Sequence, residues 1–400
     1  MEHSKTNPAQ SLTRPRQIAI LGSTGSIGCS ALDVVSRLPG KLSVFALTAN
    51  SNVDTLAEQT LAFRPQVIAL ADASQESALR SRLAGRWNGE IRFGADGSER
   101  IASLPEVDLV LNGLVGAAGL RPSWNALSAG KPVALANKES LVIAGACLTR
   151  EARRTGAAIL PVDSEHNGLF QLLQGSQPSQ IGRLVLTASG GPFRQRDLTT
   201  FAAITPREAL AHPTWKMGPR ITVDSATLLN KGFEVMEARW LFDLAPEQIA
   251  VWIHPQSIIH GLVEWVDGST TAQLSVPDMR IPIQHALCHP ERFDTGLPRC
   301  DLTAHGTLEF GAPDPRRYPC LGLAQRTLVE GTTAPAVLNA ADEVLVASFL
   351  SGEITFPQIA ECLERVLDGR PASSRDDLEA VLEADAWARQ AARAVLARCR

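Results

Sequence analysis

The chain has 400 residues, and its 38 Lys and Arg against 42 Asp and Glu give a formal net charge of −4. With 44% hydrophobic and 20% charged residues it falls in the globular range, and its length predicts two or three domains of roughly 100–200 residues each. The near-neutral charge disfavours a nucleic-acid partner, and no apolar run approaches the roughly 18 residues that a membrane span needs.

The first sixteen residues are polar and lack the apolar core of a signal peptide, so we expect a flexible N-terminal arm over residues 1–16. The seven cysteines form no CxxC pair. An odd number of cysteines in a long chain favours reduced thiols over a disulfide framework or a zinc site. These features predict a cytoplasmic protein.

Residues 17–163 alternate short β-branched apolar runs with longer amphipathic segments. This alternation predicts an α/β domain with a Rossmann-like, doubly wound parallel sheet. The predicted strands are residues 17–21, 42–47, 66–70, 107–111, 132–136 and 157–161, and the predicted helices include residues 31–38 and 53–63.

The pattern changes after residue 163. Nearly consecutive strands around one long helix, residues 224–240, predict a central α+β domain over residues 164–290. Residues 291–319 are rich in Pro, Gly and Arg and predict a linker, whereas residues 320–400 show only helical periods and predict a helical bundle. The predicted strands of the central domain are residues 183–187, 249–253, 258–266 and 270–276.

A glycine-rich loop, with Gly22, Gly25 and Gly28, joins the first strand to the first helix. Glycine lets the backbone turn tightly and approach a pyrophosphate, whose charge then lies at the helix N-terminus. The GxxGxxG spacing differs from the GxGxxG fingerprint, so a turn without a ligand is the alternative. The second strand ends without an Asp or Glu for a ribose hydroxyl over residues 48–52, which favours NADPH over NADH.

Two carboxylates, Asp163 and Glu165, follow an apolar run, at the edge where open α/β sheets present ligands. Being two residues apart, they would face the same side of a strand and could share one hard cation. A solvated strand end is the alternative interpretation.

A second polar cluster lies on the predicted long helix and contains Asn230, Lys231 and Glu234. Spacings of three and four residues place these side chains on one helix face. The commoner interpretation of such spacing is a surface Lys–Glu pair. However, Gly232 within the helix costs about 1 kcal/mol relative to alanine, which indicates a close approach at that point.

Three further segments could contribute to a site. Thr187 to Pro192 form a strand followed by a Ser/Gly turn, which can donate hydroxyl and backbone groups to an anion. Residues 206–219 place His212, Trp215 and Met217 on a loop bounded by Pro and Gly, as in a flap that closes over a ligand, although a buried loop anchor is equally possible. Lys138, which follows the fifth predicted strand of the parallel sheet, adds a cation.

Taken together, these motifs resemble the 1-deoxy-D-xylulose 5-phosphate reductoisomerase family, over nearly the whole chain from Gln17 onwards. The matching motifs are LGSTGSIG (21–28), VGAAGL (115–120), LANKESLV (135–142), PVDSEHN (161–167), SGGPFR (189–194), HPTWKMG (212–218), VDSATLLNKGFE (223–234), HPQSIIH (254–260) and PDMR (277–280). The resemblance implies an NADPH- and metal-dependent homodimer, with the central sheet at the interface. The implied activity is the rearrangement and reduction of 1-deoxy-D-xylulose 5-phosphate to 2-C-methyl-D-erythritol 4-phosphate.

The resemblance also implies sets of site residues. The metal ligands would be Asp163, Glu165 and Glu234. The substrate would contact Lys138, Ser164, Glu165, Ser189, His212, Trp215, Ser225, Asn230, Lys231 and Glu234, with its phosphate on Ser189, Ser225, Asn230 and Lys231. The catalytic residues would be Lys138, Asp163, Glu165, His212 and Glu234. The cofactor would lie along Gly22, Thr24, Gly25, Ser26, Ile27, Gly28, Asn50, Ser51, Asn52, Asn137, Glu139 and Gly218.

The residue chemistry agrees with this activity. Three carboxylates suit a divalent ion such as Mg²⁺, Mn²⁺ or Co²⁺, which would orient and polarise the ketone of a sugar phosphate. Two alternatives remain at this stage. A metal-free dehydrogenase of the semialdehyde type would not need the three carboxylates, and a nucleotide-sensing protein would bind NADPH without turnover.

Overall fold

The computed structural model describes residues 14–215 and 217–399. Most of the predicted N-terminal arm, and Lys216, therefore lie outside the described residues. The chain divides into two compact units. Unit 1 contains residues up to 137, residues 148–163 and residues 279–297; unit 2 contains residues 138–147, residues 164–278 and the chain from 298 onwards. None of the helices within the described ranges has the length and apolarity to cross a membrane.

Unit 1 is built on a parallel seven-stranded sheet, which confirms the predicted fold class. The strand order is β4-β3-β2-β1-β5-β6-β7, so the direction of winding reverses between β1 and β5. Ligands of open α/β sheets bind outside the carboxyl ends of the strands at such a reversal. The strands are β1 Arg16–Leu21, β2 Leu42–Ala49, β3 Val67–Leu70, β4 Glu90–Phe93, β5 Leu109–Asn112, β6 Val133–Leu135 and β7 Ile159–Pro161.

The helices of unit 1 cover a sheet whose central strands are fully buried, as Ile18, Ile20, Ile68 and Leu111 show. Helices between parallel strands bury both sheet faces, which is why these strands are continuously apolar. The helices are α1 Ser26–Arg37, α2 Val53–Phe63, α3 Glu76–Leu83, α4 Gly97–Ala102, α5 Leu120–Ser128, the second part of α6 (Lys138–Thr155) and α11 Arg280–Cys288.

Two features of unit 1 differ from the sequence-based prediction. The edge strand β4 was missed, because its Glu-Ile-Arg-Phe sequence is short and half exposed. The segment around α11 was assigned to the central domain but belongs to unit 1, because it packs against α1. Arg280 forms an ion pair with Asp33 at 2.9 Å, and Arg16 donates a 2.7 Å hydrogen bond to the carbonyl of Leu287.

Unit 2 contains a four-stranded mixed sheet in the order β11-β10-β8-β9. Strand β10 pairs antiparallel with β11 and β8, whereas β8 and β9 are parallel. The strands are β8 Ile181–Ala188, β9 Ile249–Ile253, β10 Ile259–Trp265 and β11 Thr270–Leu274. The other helices are α7 Ser164–Leu172, α8 Pro206–Ala209, α9 Pro219–Thr227, α10 Leu229–Phe242, α12 Pro319–Glu330, α13 Ala334–Leu350, α14 Phe356–Asp368 and α15 Leu378–Cys399.

The predicted long helix, residues 224–240, is in fact two helices. Leu228 adopts a left-handed conformation, with φ of 57°, between α9 and α10. A non-glycine residue in this region costs energy, so the surrounding packing must impose it. Leu228 is buried among the apolar residues that pack on the central sheet, which supply that constraint.

The predicted linker is not a free segment in its second half. Gly311 exchanges backbone hydrogen bonds with Ile253, and the buried Tyr318 hydroxyl donates to the carbonyl of Gly190. The predicted C-terminal helical bundle is present as α12 to α15, and its core continues into α9 and α10 through residues such as Phe233.

Candidate functional site

The glycine loop of unit 1 is held in place by the second strand. The backbone N–H of Gly22 donates to the Thr48 hydroxyl at 3.1 Å, and the N–H of Ser23 donates to the Thr48 carbonyl at 2.8 Å. Gly22 has a φ of 77°, and a Cβ on Gly28 would lie about 2.5 Å from the Ser23 backbone. Both positions therefore require glycine, and they leave the start of α1 open at Gly25.

Several predicted cofactor residues have structural partners within their own unit. The Asn52 side chain accepts from the N–H of Thr55 and caps α2. The buried Asn137 amide donates to the carbonyls of Leu114 and Gly116, which fixes the loop after β5. Asn50 and Ser51 are exposed at the carboxyl end of β2. The loops after β1, β2 and β5 thus meet at the reversal point of the sheet.

The carboxylates of unit 2 converge on one ammonium group. Lys231 Nζ lies 2.9 Å from Glu165 Oε1 and also contacts Glu234 Oε2. Lys138 Nζ lies 3.8 Å from the other oxygen of Glu234, which accepts a 2.6 Å hydrogen bond from Asn230. The Ser164 hydroxyl also donates to Glu165 at 2.6 Å, so the structure brings all of these predicted residues together.

The charges of this cluster interact strongly because the side chains that carry them are buried. Burial opposes ionisation of Glu165, but Lys231 and His260 overcome that effect and hold the pKa of its carboxyl well below the usual range. Burial likewise disfavours the Lys231 ammonium, and Glu165 and Glu234 nevertheless raise its pKa. Two carboxylates therefore face a single cation position, which is the donor chemistry that a hard divalent ion requires.

The strand geometry predicted for Asp163 and Glu165 is wrong. Strand β7 ends at Pro161, and Ser164 begins helix α7, so Glu165 lies in the first turn of a helix. Asp163 is the last residue of its unit 1 segment and immediately precedes that helix. The Ser-Glu pair after the apolar run is a helix-start signal that could have revealed this.

A buried histidine, not predicted as a site residue, lies beside the carboxylates. His166 Nε2 lies 2.8 Å from the backbone carbonyl of Glu234, so this nitrogen carries the proton and donates it. Its Nδ1 lies 3.3 Å from the carboxylate of Glu237, and both side chains are essentially inaccessible to solvent. The hydrogen bond of Nε2 to the Glu234 carbonyl ties α7 to the turn of α10 that carries Glu234. Glu234 and Glu237 are three residues apart and so share a helix face, which was the sequence signal for a second buried carboxylate.

His212 and Ser189 form the second part of the site in unit 2. His212 Nδ1 accepts hydrogen bonds from the backbone N–H groups of Thr214, at 3.1 Å, and Trp215, at 2.9 Å. The proton of the neutral ring is therefore on Nε2, which donates to the Ser189 hydroxyl at 3.0 Å. Burial lowers the pKa of His212, which favours this neutral form.

The turn after Ser189 lies directly against helix α9. A Cβ on Gly191, which has a φ of 65°, would lie 2.9 Å from the Cα of Ala226 and 3.0 Å from the carbonyl oxygen of Ser225. Only glycine allows this approach. Ser189 and Ser225 are thus brought to neighbouring backbone segments, and Asn230 and Lys231 follow at the start of α10.

The flap segment carries a half-buried Trp215, whose ring centroid lies 6.5 Å from that of His260. His260 is buried, and its Nε2 lies 3.2 Å from the Ser275 carbonyl. Gly218 ends the flap and is the N-cap of α9.

The close approach expected at Gly232 exists, but its partner is protein. A Cβ on Gly232 would lie 2.3 Å from the Cβ of Ala324, so the glycine lets α10 and α12 pack tightly. No ligand is needed to explain this residue.

Comparison with protein families supports the interpretation of these motifs. A family model described as 1-deoxy-D-xylulose 5-phosphate reductoisomerase matches residues 18–145, and models of the C-terminal domains of that enzyme match residues 159–242 and 274–391. A curated relative from Symbiobacterium thermophilum, named 1-deoxy-D-xylulose 5-phosphate reductoisomerase, is 52% identical over 380 residues, covering 94% of this chain and 97% of its own. A relative of the same name from Ralstonia nicotianae is 51% identical with the same coverage.

Solved structures show the same likeness. The reductoisomerase of Zymomonas mobilis in complex with NADPH superposes with a TM-score of 0.90 at 42% identity, covering 96% of this chain and 99% of its own. A reductoisomerase in complex with NADPH, fosmidomycin and magnesium has a TM-score of 0.91 at 40% identity, with 96% and 98% coverage.

Proposed function

The chain belongs to the 1-deoxy-D-xylulose 5-phosphate reductoisomerase family, and from this premise we propose how its own residues divide the work of that reaction. It is an NADP-dependent oxidoreductase that rearranges and reduces 1-deoxy-D-xylulose 5-phosphate to 2-C-methyl-D-erythritol 4-phosphate, with NADPH and a divalent metal ion as cofactors. The observation that carries the assignment of roles is the convergence of Glu165 and Glu234 on one buried cation position.

Asp163, Glu165 and Glu234 would hold the divalent ion. Glu165 and Glu234 fit this role because their carboxylate oxygens are aimed at one point, and Asp163 precedes Glu165 by two residues. When bound, the ion would act as a Lewis acid toward the substrate ketone and its neighbouring hydroxyl. Magnesium occurs in solved relatives, and we propose that manganese also serves.

Ser189, Ser225, Asn230 and Lys231 would bind the substrate phosphate. They offer two hydroxyls, an amide and an ammonium, a donor set suited to a phosphate group. Gly191 brings the Ser189 turn against the Ser225 segment, which supports a shared site. Binding the distant phosphate contributes free energy that orients the reacting carbons.

The remaining residues of unit 2 would act on the reacting end of the substrate. Lys138 and Ser164 contact the two carboxylates and can donate to substrate oxygens. His212, kept neutral by burial, presents a defined N–H donor and would hold a hydroxyl in place rather than supply a full charge. Trp215 on the flap would exclude water from the rearranging ketone.

The cofactor would bind along the loops at the reversal point of the unit 1 sheet. Its pyrophosphate would lie at the start of α1, where Gly25 leaves the backbone open, and NADPH supplies the hydride. Thr24, Ser26, Ile27, Asn50 and Ser51 would contact the cofactor along these loops. Asn52, Asn137, Glu139 and Gly218 complete the proposed cofactor contacts, and Asn52 and Asn137 also hold their own loops in place.

We further propose that the enzyme is a homodimer with the four-stranded sheet of unit 2 at its interface. One face of this sheet buries Val185 and Leu262 but leaves Trp252, Ala272 and Leu274 partly exposed, as an intersubunit contact would require. Sedimentation velocity tests this proposal: a species of about twice the chain mass of 42.9 kDa is expected. The free thiols of residues such as Cys29 and Cys300 support a reducing, cytoplasmic location.

The decisive experiment on function follows NADPH absorbance with purified protein. We expect oxidation only when the sugar phosphate and Mg²⁺ are both present, loss of the activity with a chelator, and its recovery on adding Mg²⁺ or Mn²⁺. Activity that persists with chelator would favour a metal-free dehydrogenase, and binding of NADPH without turnover would favour a nucleotide sensor.

A further inference from the structure

One arginine of unit 2 joins several helices through a buried network of charges. Arg220 donates hydrogen bonds to Asp342 at 3.0 and 3.1 Å, to Asn339 at 2.8 Å, to Glu343 at 3.0 Å and to Glu139 at 3.2 Å. Its Nε also lies 3.5 Å from Asp224. The Arg220 side chain is only 15% exposed, and that of Asp342 is fully buried.

Without its carboxylate partners, this arginine would be in an unfavourable position. Arg220 is the second residue of α9, and a positive charge at a helix N-terminus is disfavoured by the helix dipole. Four carboxylates around one guanidinium reverse that cost, and the planar fork of arginine can satisfy several of them at once. Lysine could not make the same set of hydrogen bonds.

The partners of Arg220 lie on three different helices. Asp224 is on α9 itself, Glu139 is in the first turn of α6, and Asn339, Asp342 and Glu343 are on α13 of the C-terminal bundle. The ring of Phe233, on α10, lies 5.9 Å from the guanidinium. One side chain therefore sets the spacing between the C-terminal bundle and the helices that carry predicted site residues.

Those helices carry substrate contacts on either side of the network. Helix α9 begins where the flap ends, at Gly218, and bears Ser225, while Glu139 is the chain neighbour of Lys138. We propose that Arg220 is a positioning residue: it fixes α9 and the start of α6 against α13, so that Ser225 and Lys138 are held in register for the substrate. This inference rests on the proposed placement of Ser225 and Lys138 in the substrate site.

The network offers a matched control. Arg389, on α15, forms an ion pair with Glu343 at 2.6 Å and another with Asp385, but contacts neither α9 nor α6 in the described hydrogen bonds. Arg389→Lys should disturb the same charge cluster without changing how α9 and α6 are placed against α13. Arg220→Lys keeps the positive charge but loses the planar guanidinium that makes several hydrogen bonds at once.

The test compares parent, Arg220→Lys and Arg389→Lys by calorimetric titration with fosmidomycin in the presence of Mg²⁺ and NADPH, together with KM and kcat. For Arg220→Lys we expect the fosmidomycin Kd and the KM for the sugar phosphate to rise about tenfold, because the variant loses a group that orients ligand-binding residues. The KM for NADPH should change less. Arg389→Lys should stay within about twofold of the parent. An Arg220→Lys affinity equal to that of the parent, or an equal loss in both variants, would overturn the proposal.

Hydrogen exchange on the ligand-free proteins separates this proposal from the proposed function. Arg220→Lys should increase exchange in residues 219–227 and at the start of α6, and Arg389→Lys should not. If the parent fails to bind fosmidomycin while this pattern appears, the proposed function fails, and only the structural part of the inference stands, that Arg220 fixes α9 and the start of α6 against α13. If Arg220→Lys does not fold, Asp342→Asn, which keeps an oxygen acceptor, should show the same exchange pattern, and unchanged exchange there would contradict the proposal.

Discussion

The carboxylate Glu234 is the most informative single residue of the site. It contacts Lys231, Lys138 and Asn230, and its backbone carbonyl accepts from the buried His166. Glu234→Gln keeps this shape but removes one anionic donor, so we expect Mg²⁺ affinity to fall about tenfold or more and turnover to fall with it. Calorimetric titration with Mg²⁺ measures the change directly.

Two controls accompany that prediction. Glu264→Gln removes a carboxylate that pairs with Arg183 on the central sheet, and it should leave Mg²⁺ affinity unchanged. NADPH binding should be unaffected in both variants, because the glycine loop is in the other unit. Parent-like Mg²⁺ affinity in Glu234→Gln would remove this residue from the ligand set.

A substitution at Gly25 can test the cofactor loop without disrupting its backbone. Its φ is −81°, and a Cβ added there would have the Gly22 carbonyl oxygen as its nearest neighbour, at 3.3 Å, so valine requires only a small local adjustment. Gly25→Val should nevertheless weaken NADPH binding about tenfold or more, because the branched side chain would cover the helix N-terminus. Fluorescence titration with NADPH measures this, and the parent should prefer NADPH to NADH. Unchanged NADPH affinity would place the pyrophosphate elsewhere.

Asp342 should make stability depend on pH. Burial raises its pKa to about 6, although Arg220 pulls it down and Glu343 and Glu139 push it up; Asp224, beside it, is raised as well. Since the folded pKa exceeds the ordinary value, the stabilisation present at low pH is lost as the pH rises through 6. As the pH rises from 5 to 8, the free energy of unfolding of the parent should therefore fall by about 1–2 kcal/mol relative to that of Asp342→Asn, at ~1.4 kcal/mol per pKa unit. The asparagine cannot ionise, so the variant does not show this loss.

Urea unfolding of both proteins across that pH range checks the sign. A stability difference that is constant over this pH range would show that the pKa of Asp342 is not raised in the folded protein.

At the scale of elements, the flap should respond to ligand. Trp215 is only half-buried, and its backbone N–H is held by His212, so closure can bring the indole onto a bound substrate without rebuilding the loop. We expect fosmidomycin with Mg²⁺ to change tryptophan fluorescence in the parent and much less in Trp215→Phe. Trp87→Phe, in unit 1, is the control among the seven tryptophans and should keep the full change. An identical response in Trp215→Phe and the parent would make the flap a static anchor.

Elements with a clear local pattern were predictable from sequence. The predicted helix over residues 53–63 has the bounds of α2, because Asn52 supplies a side-chain cap and the apolar period is regular. Strand β9 was also predicted with the observed bounds. The break at Leu228 was not predictable, since leucine has no local preference for a left-handed conformation and only packing imposes it.

The part of the proposed site that is formed by short sequence motifs could be predicted from the order of those motifs along the chain. The residues proposed to bind the metal and the phosphate are grouped in short motifs, so the resemblance was enough to predict them. The Arg220 network escaped because most of its members are far apart in the chain and meet only in the folded unit. A charged Asp342 within the apolar sequence LNAADEVLVASFL was the local sign of a buried partner.

At the scale of the whole molecule, unit 1 depends on a segment from late in the chain. Helix α11 packs on α1, and its Ile283 and Leu287 are fully buried. A fragment of residues 14–163 should therefore expose apolar surface and melt without a sharp transition. Joining residues 279–297 to it through a flexible linker should restore a cooperative transition and NADPH binding, measured by circular dichroism and fluorescence. A fragment that melts sharply and binds NADPH without that addition would contradict the expectation.

This arrangement also sets an order of events during synthesis. Ribosomes deliver the chain from its N-terminus, yet the helix that completes unit 1 leaves the exit tunnel only after residues 164–278 of unit 2 have been made. The nascent nucleotide-binding half must wait, with the α11-binding surface of α1 uncovered, for roughly 130 further residues. That interval is when the polypeptide is most exposed to chaperones and to self-association, so slowing translation between codons 163 and 297 should lower the yield of active enzyme more than slowing it after codon 297.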